Sequence, residues 1–363
     1  MTKRTADETQ DSAKDNMDLD NSHTSEQTET GHLLGAGDIR RIAAEAGISP
    51  TKKFGQNFVI DPGTVRRITR EAGVDASTNV LEVGPGLGSL TLALLETGAR
   101  VTAVEIDPAL AERLPETVAE FMPEAANRLT IVKADALSLS PETLPQFAPN
   151  PRTSNPFTLV SNLPYNVATP IVLTLLERFS NLDHFLVMVQ KEVADRLVAK
   201  PGSKIYGAPS VKLAWYGVAE RAGLVGRNVF WPAPNVDSAL VSFTRYQDAP
   251  ATDGSEDSGN TNNPNAIEHV GSNKHEGRNV EATSPKIRPA KPVEIATEPN
   301  HEKVFELIDA AFGQRRKTLH AALKKLVPNS AYEAAGIDPT RRGETLTIAE
   351  FAALDKAVAN VGA

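Results

Sequence analysis

Between residues 79 and 190 the chain alternates between two hydrophobic periods. Short β-branched apolar runs occur at NVLEVG (79–84), RVTAVEID (100–107), LTIVKAD (129–135), FTLVSN (157–162) and HFLVMVQ (184–190). Between them lie stretches with apolar residues at helical spacing, such as LTLALLETG (90–98) and PALAERLPETVAEF (108–121). Strands spaced by helices predict a parallel, doubly wound α/β sheet. The run SALVSFTRY (238–246) follows a Pro-rich loop with no helix directly before it, so it is expected to join the sheet antiparallel. Over residues 301–363 Ala and Leu recur at helical spacing with no strand signal, which predicts a small all-α C-terminal domain.

Two segments lack both periods. Residues 1–38 are rich in Asp, Glu, Ser and Thr, and residues 247–300 are similarly polar. Neither has enough large apolar side chains to offset the entropy of ordering, so a disordered acidic tail and a disordered acidic insertion are expected. The remaining folded parts are then 39–246 and 301–363.

This division changes how the charge is read. The net charge is -8 over 363 residues, which looks unsuited to a nucleic-acid ligand. Residues 1–38 hold nine acids against three bases and residues 247–300 nine against five, leaving 28 acids and 30 bases elsewhere. The acidity is segregated, and the folded parts are slightly basic. The absence of cysteine excludes disulfides and thiolate metal sites and suits a reducing compartment. The N-terminus is polar, and there is no apolar run long enough to span a membrane. A soluble, cytoplasmic protein with no membrane partner is expected, and nothing demands an oligomer.

The chemistry gathers at the carboxyl ends of the predicted strands. The first strand runs into EVGPGLGSLT (82–91). Counting from Gly84, glycines stand at the first and third positions, but the sixth is Ser89 and the third glycine comes early, at Gly88. This is looser than the dinucleotide fingerprint, and it lets a nucleoside with an amino-acid tail lie against the backbone without a pyrophosphate. Glu105 ends the second strand, 21 residues after Gly84, where a carboxylate can accept both ribose hydroxyls. Asp135 ends the third, where it can take an adenine amino group. Three such features in register favour an adenosine-containing ligand. At this point the sequence resembles the class I S-adenosylmethionine-dependent methyltransferases, and the resemblance implies a Rossmann-like sheet.

The fourth strand delivers Asn162-Leu163-Pro164-Tyr165 to the same edge. An exocyclic adenine amine is a poor nucleophile because its lone pair is delocalised into the ring. The Asn162 side-chain oxygen and the Leu163 carbonyl can accept its two N–H bonds and turn the lone pair toward a methyl donor. Pro164 stiffens the turn, and Tyr165 can stack on an extruded base. No metal and no strong general base are required.

Further stretches resemble one family: the ribosomal RNA adenine dimethyltransferases that modify two adjacent adenosines near the 3′ end of small-subunit (16S) rRNA. These are KKFGQNFVID (52–61, with Val59 where leucine is usual), NLPYNVATPIV (162–172), VQKEVADRL (189–197), FWPAPNVDSALVSF (230–243) and FGQRRKTLHAAL (312–323). The resemblance covers residues 38–246 and 301–363. It implies that Asn57, Val59, Gly84, Glu105, Asp135 and Asn162 bind S-adenosylmethionine. It also implies that Asn162, Leu163, Pro164 and Tyr165 hold the target adenine, with Phe230 closing over it.

The stretch QRRKTLHAALKKL (314–326) reads as one amphipathic helix with Arg316, Lys317, His320 and Lys324 on one arc. Those cations suit phosphate contacts, and Lys52 and Lys53 add charge beside the cofactor segment. The reading that follows is a 16S rRNA adenine-N6,N6-dimethyltransferase of small-subunit assembly. Three alternatives stay open: a resistance-type methyltransferase of large-subunit rRNA, a non-catalytic assembly or transcription factor on the same fold, and a DNA adenine methyltransferase.

Overall fold

The computed structural model describes residues 32–49, 56–150, 155–247, 288–296 and 301–362. Lys52 and Lys53, residues 1–31 and most of the 247–300 insertion lie outside the described residues.

A seven-stranded sheet with order β4-β3-β2-β5-β6-β9-β7 organises the chain. Its parallel part is β2 (Asn79–Val83), β3 (Arg100–Glu105), β4 (Leu129–Lys133), β5 (Phe157–Asn162) and β6 (Leu182–Gln190). β9 (Ser238–Arg245) joins β6 antiparallel, as its approach from a loop predicts, and β7 (Gly217–Val225) pairs with β9 at the edge. β7 is not evident in the sequence. Its run GVAERAGLV carries two glycines and the pair Glu220-Arg221, which break the alternation, and as an edge strand it leaves most positions at least partly in water. A separate two-stranded pair joins β1 (Phe58–Val59) to β8 (Phe230–Trp231).

The helices are α1 (Ala36–Glu45), α2 (Pro62–Ala72), α3 (Ser89–Glu96), α4 (Pro108–Phe121), α5 (Ala168–Arg178), α6 (Lys191–Leu197) and α7 (Ala208–Tyr216), followed by α8 (Val293–Ala296), α9 (His301–Gly313), α10 (Leu319–Leu323), α11 (Asn329–Ala334) and α12 (Ile348–Val361). Their starts follow local chemistry. Asp61 accepts the Thr64 N–H at 2.7 Å and Asp107 the Ala109 N–H at 3.0 Å, each just before a proline that needs no acceptor. Thr347 and Glu350 form a reciprocal capping box at α12.

Side chains alternate across the sheet and split the core in two. Leu81, Leu159, Phe185 and Val187 face one cluster, which continues through Trp215 into the C-terminal helices at Leu307, Ile308 and Phe351. Val80, Val160, Leu186 and Met188 face the other, with Ile39, Phe58, Leu92 and Phe230. The helical part thus completes one face of the sheet.

Three expected boundaries move. Leu33 and Leu34 are buried and α1 begins at Ala36, so ordered chain starts ahead of residue 39. The end of the 247–300 insertion belongs to the fold: Arg288 donates to the Arg245 and Tyr246 carbonyls, and Ile295 is fully buried. The helix expected over 314–326 exists only at Leu319–Leu323. Thr318 caps it, while the Leu319 and His320 amides donate to the carbonyls of Arg341 (2.7 Å) and Pro339 (3.0 Å). Those tertiary bonds replace the intrahelical ones that would have joined α9 to α10. Residues 314–317 form a turn instead.

Candidate active site

The carboxyl ends of β2, β3 and β5 and the chain after β4 open into one cavity of about 220 Å³. Gly84, Glu105, Asp135, Asn57, Val59 and all four residues from Asn162 to Tyr165 line it. These predicted positions therefore come together.

The glycine loop supplies the floor. Gly86 and Gly88 have φ of +59° and +99°, a left-handed backbone that side chains resist. A Cβ on Gly86 would lie 3.0 Å from the Phe58 ring, and one on Gly88 would lie 2.9 Å from Leu114. Those contacts leave no room for a side chain at either position, and Gly84 and Gly86 line the cavity.

Glu105 is held by backbone donors, Gly86 N–H to Oε2 at 3.3 Å and Asp107 N–H to Oε1 at 3.0 Å, with the Ile106 amide adding to them. Burial pushes its carboxyl above the ordinary range, and those donors oppose the shift. Asp135 is exposed and caps the short turn after β4, accepting the Leu137 N–H at 2.9 Å.

The acceptor side is built from distant segments. Asn162 donates Nδ2–H to the Asn57 carbonyl at 3.1 Å, tying the tetrapeptide to the N-terminal segment. The Leu163 N–H donates to the Met188 carbonyl at 3.0 Å, which fixes that peptide plane. Tyr165 shares a 2.8 Å hydroxyl bond with Ser238, at the start of β9. Burial raises its phenol above the usual value, and that bond opposes the shift.

Phe230 stands elsewhere. It is 3% exposed, pairs with Val59 in the β1–β8 ribbon and packs in the core cluster under Phe58, outside the lining of the cavity. The expected lid over the adenine is therefore a core residue in this conformation, because the ribbon turns its side chain into the protein. Val59 itself lines the cavity and accepts the Ser89 hydroxyl through its carbonyl at 2.6 Å. Arg316, Lys317 and Lys324 are exposed in the C-terminal part, outside the cavity lining.

Two cavity residues escape the sequence reading. Ile106 is 50% exposed at the rim, an apolar surface suited to a base. Its signal is an apolar residue between the two acids of VEID. Glu82 is 1% exposed and accepts the Thr91 hydroxyl at 2.7 Å. Burial, reinforced by the nearby Glu105 carboxylate and opposed by Thr91, pushes its carboxyl up to about 8. Its signal is a charge inside the apolar strand run VLEV.

Comparison with known proteins places this arrangement. Residues 49–256 match the family described as ribosomal RNA adenine dimethylase. The chain is 67% identical over 334 residues to the ribosomal RNA small subunit methyltransferase A of Bifidobacterium longum (strain DJO10A), covering 92% of this chain and 96% of that protein. It is 48% identical to the protein of the same name from Thermobifida fusca (strain YX), covering 91% and 97%. Among solved structures, a dimethyladenosine transferase from Plasmodium falciparum superposes with TM-score 0.58 at 20% identity over 84% of this chain and 98% of that one. The 23S rRNA methyltransferase ErmE superposes at 0.52 with 23% identity over 84% and 100%. At these identities the superpositions speak for the fold, a Rossmann-like α/β sheet with a helical C-terminal part. The family match and the close relatives go further: this chain belongs to the ribosomal RNA adenine dimethylase family.

Proposed function

We propose that the protein transfers methyl groups from S-adenosylmethionine to N6 of two adjacent adenosines in the 3′-terminal hairpin of 16S rRNA during small-subunit assembly. One observation carries the reading: the glycine loop, Glu105, Asp135 and Asn162–Tyr165 share one cavity. The cavity suits the cofactor. Its floor is a bare glycine cradle, Glu105 presents two oriented oxygens, and Ile106 offers a face for a base.

S-Adenosylmethionine supplies, when bound, a methyl group on a sulfonium. Glu105 would take the ribose hydroxyls and Asp135 the adenine amino group. Asn57 and Val59 wall the site from the N-terminal segment. Asn162 commits its Nδ2 donor to Asn57, which leaves Oδ1 as acceptor for one N–H of the substrate amine. The Leu163 carbonyl accepts the other. Held by both, the substrate nitrogen directs its lone pair out of the ring plane toward the methyl, and after transfer the amine releases a proton to water. Tyr165, steadied by Ser238, stacks on the base. Preorganised acceptors, rather than a strong base, supply the acceleration.

The test is transfer of labelled methyl groups to undermethylated small subunits, followed by mapping of the modified nucleotides. Label on the two adjacent 3′-terminal adenosines is expected, and Asn162→Ala lowers kcat by about 100- to 1000-fold. Label on large-subunit rRNA, or none with the intact protein, overturns the reading.

A further inference from the structure

Between α6 and α7 the chain makes an exposed turn, KPGSKIY (200–206), in the catalytic part. The turn is tied to the C-terminal helical part at three points, two through its backbone and one through the Tyr206 side chain. The Gly202 N–H donates to the Glu344 carbonyl at 2.7 Å, and the Tyr206 hydroxyl to the Leu346 carbonyl at 2.9 Å. Arg315 makes the third tie by bridging two groups at once. Its Nη2 donates to the Lys204 carbonyl at 2.5 Å, and its Nε to the Glu344 carboxylate at 2.8 Å. Arg315 sits in the turn QRRK (314–317), so that turn and loop 200–206 are held side by side.

This arrangement leaves the neighbouring cations uncommitted. Lys200, Lys204, Arg316 and Lys317 are exposed, and none of their side chains has an acidic partner among the described residues. Other lysines here do meet acids, Lys191 with Asp195 one turn along α6 and Lys212 of α7 with Asp309 of α9. Ile205, next to Lys204, lines a groove in which Lys191 and Arg227 lie among the carboxylates of Glu192, Asp195 and Asp237. Asp237 adjoins Ser238, the partner of Tyr165. Four uncommitted cations on two parts of the fold, locked together by the Arg315 bridge, match a run of phosphates.

We propose that loop 200–206 is a second RNA-phosphate surface, clamped to the basic turn 314–317 by Arg315 and Glu344, so that both parts of the protein grip one stretch of the substrate RNA. Lys200 and Lys204 contact phosphates, and Arg315 and Glu344 are positioning residues that hold the loop. The proposal rests on the rRNA-methylation reading, which names the partner.

The experiment uses the full chain and undermethylated small subunits, with binding measured across a salt series and steady-state kinetics alongside. Lys200→Ala with Lys204→Ala raises KM for the subunits by about tenfold, the loss falls on KM rather than on kcat, and the slope of log K against log salt shrinks by about 1.4 to 1.8. Glu344→Ala separates the clamp from simple charge. Removing an acid should tighten RNA binding if only net charge mattered, whereas loss of the clamp weakens it several-fold. Unchanged KM and slope in the lysine double variant, or tighter binding in Glu344→Ala, overturns the proposal. Failure of the unaltered protein to methylate the subunits at all would instead strike the function reading on which it stands.

Discussion

The two sides of the cavity are built in opposite ways. On the cofactor side the chain comes off β2 and β3 directly, and its parts are backbone, two buried carboxyls and glycines that cannot accept a Cβ. On the acceptor side a four-residue turn is held by single bonds to distant segments, Asn162 to Asn57, Leu163 to Met188 and Tyr165 to Ser238. The first side is rigid because packing over-determines it. The second is positioned by a few hydrogen bonds that a substrate can adjust. An enzyme that methylates one nitrogen twice is served by this split: the donor sits in a fixed cradle, while the acceptor pocket must admit an amine and then a methylated amine.

The harshest way to break the comparison is to put a side chain in the cradle. Gly86→Ala forces a left-handed φ on a residue with a Cβ and drives it against Phe58, costing about 1–3 kcal/mol. Cofactor affinity should fall by roughly 100-fold at the upper end of that cost, read by calorimetric titration of S-adenosylmethionine. The melting temperature should fall as well. Retained affinity would mean that the loop moves freely and is not a fixed floor.

The acceptor side should respond more gently. Tyr165→Phe and Ser238→Ala each remove the same hydroxyl bond, worth about 0.5–1.5 kcal/mol, so each should lower kcat/KM by about three- to tenfold. Their double variant should be no worse than either, because they share one interaction. Cofactor affinity should not move. Multiplying losses in the double variant would show that the Tyr165 hydroxyl acts on the substrate independently of Ser238.

The same split governs how much the sequence discloses. Gly84, Glu105 and Asp135 are legible because a parallel sheet sends every strand end to one edge, so local pattern suffices. NLPY is legible for the same reason. Phe230 is not: its side is set by pairing with Val59, a contact across most of the catalytic part that no local period encodes. The helix drawn through 314–326 fails likewise, since the Leu319 and His320 amides are claimed by residues 339–341. Glu82 is not legible because a charge within an apolar strand is an irregularity until its bond to Thr91 gives it a partner. Ile106 is not legible because apolar residues at strand ends are ordinary, and only its exposure marks it.

The smallest effect sharpens the contrast within the cofactor side, between its two buried carboxyls. Glu82 is raised to about 8 in the fold by burial, against an ordinary value of 4.5. Between those values the folded protein holds a proton that the unfolded chain releases, so this contribution to stability is full below the ordinary pKa and is lost as pH rises through the folded one. Melting temperature should therefore decline from about pH 5 to about pH 8. Glu82→Gln keeps an acceptor for Thr91 but cannot ionise, and should flatten that decline. Glu105 is also raised by burial, but the Gly86 and Asp107 amides oppose the shift. Glu105→Gln should flatten the slope less and weaken the cofactor more, because the proposed ribose contact runs through that carboxylate. An equal flattening by both variants would show that the two carboxyls share one proton as a coupled pair, and the division of labour between them would have to be withdrawn.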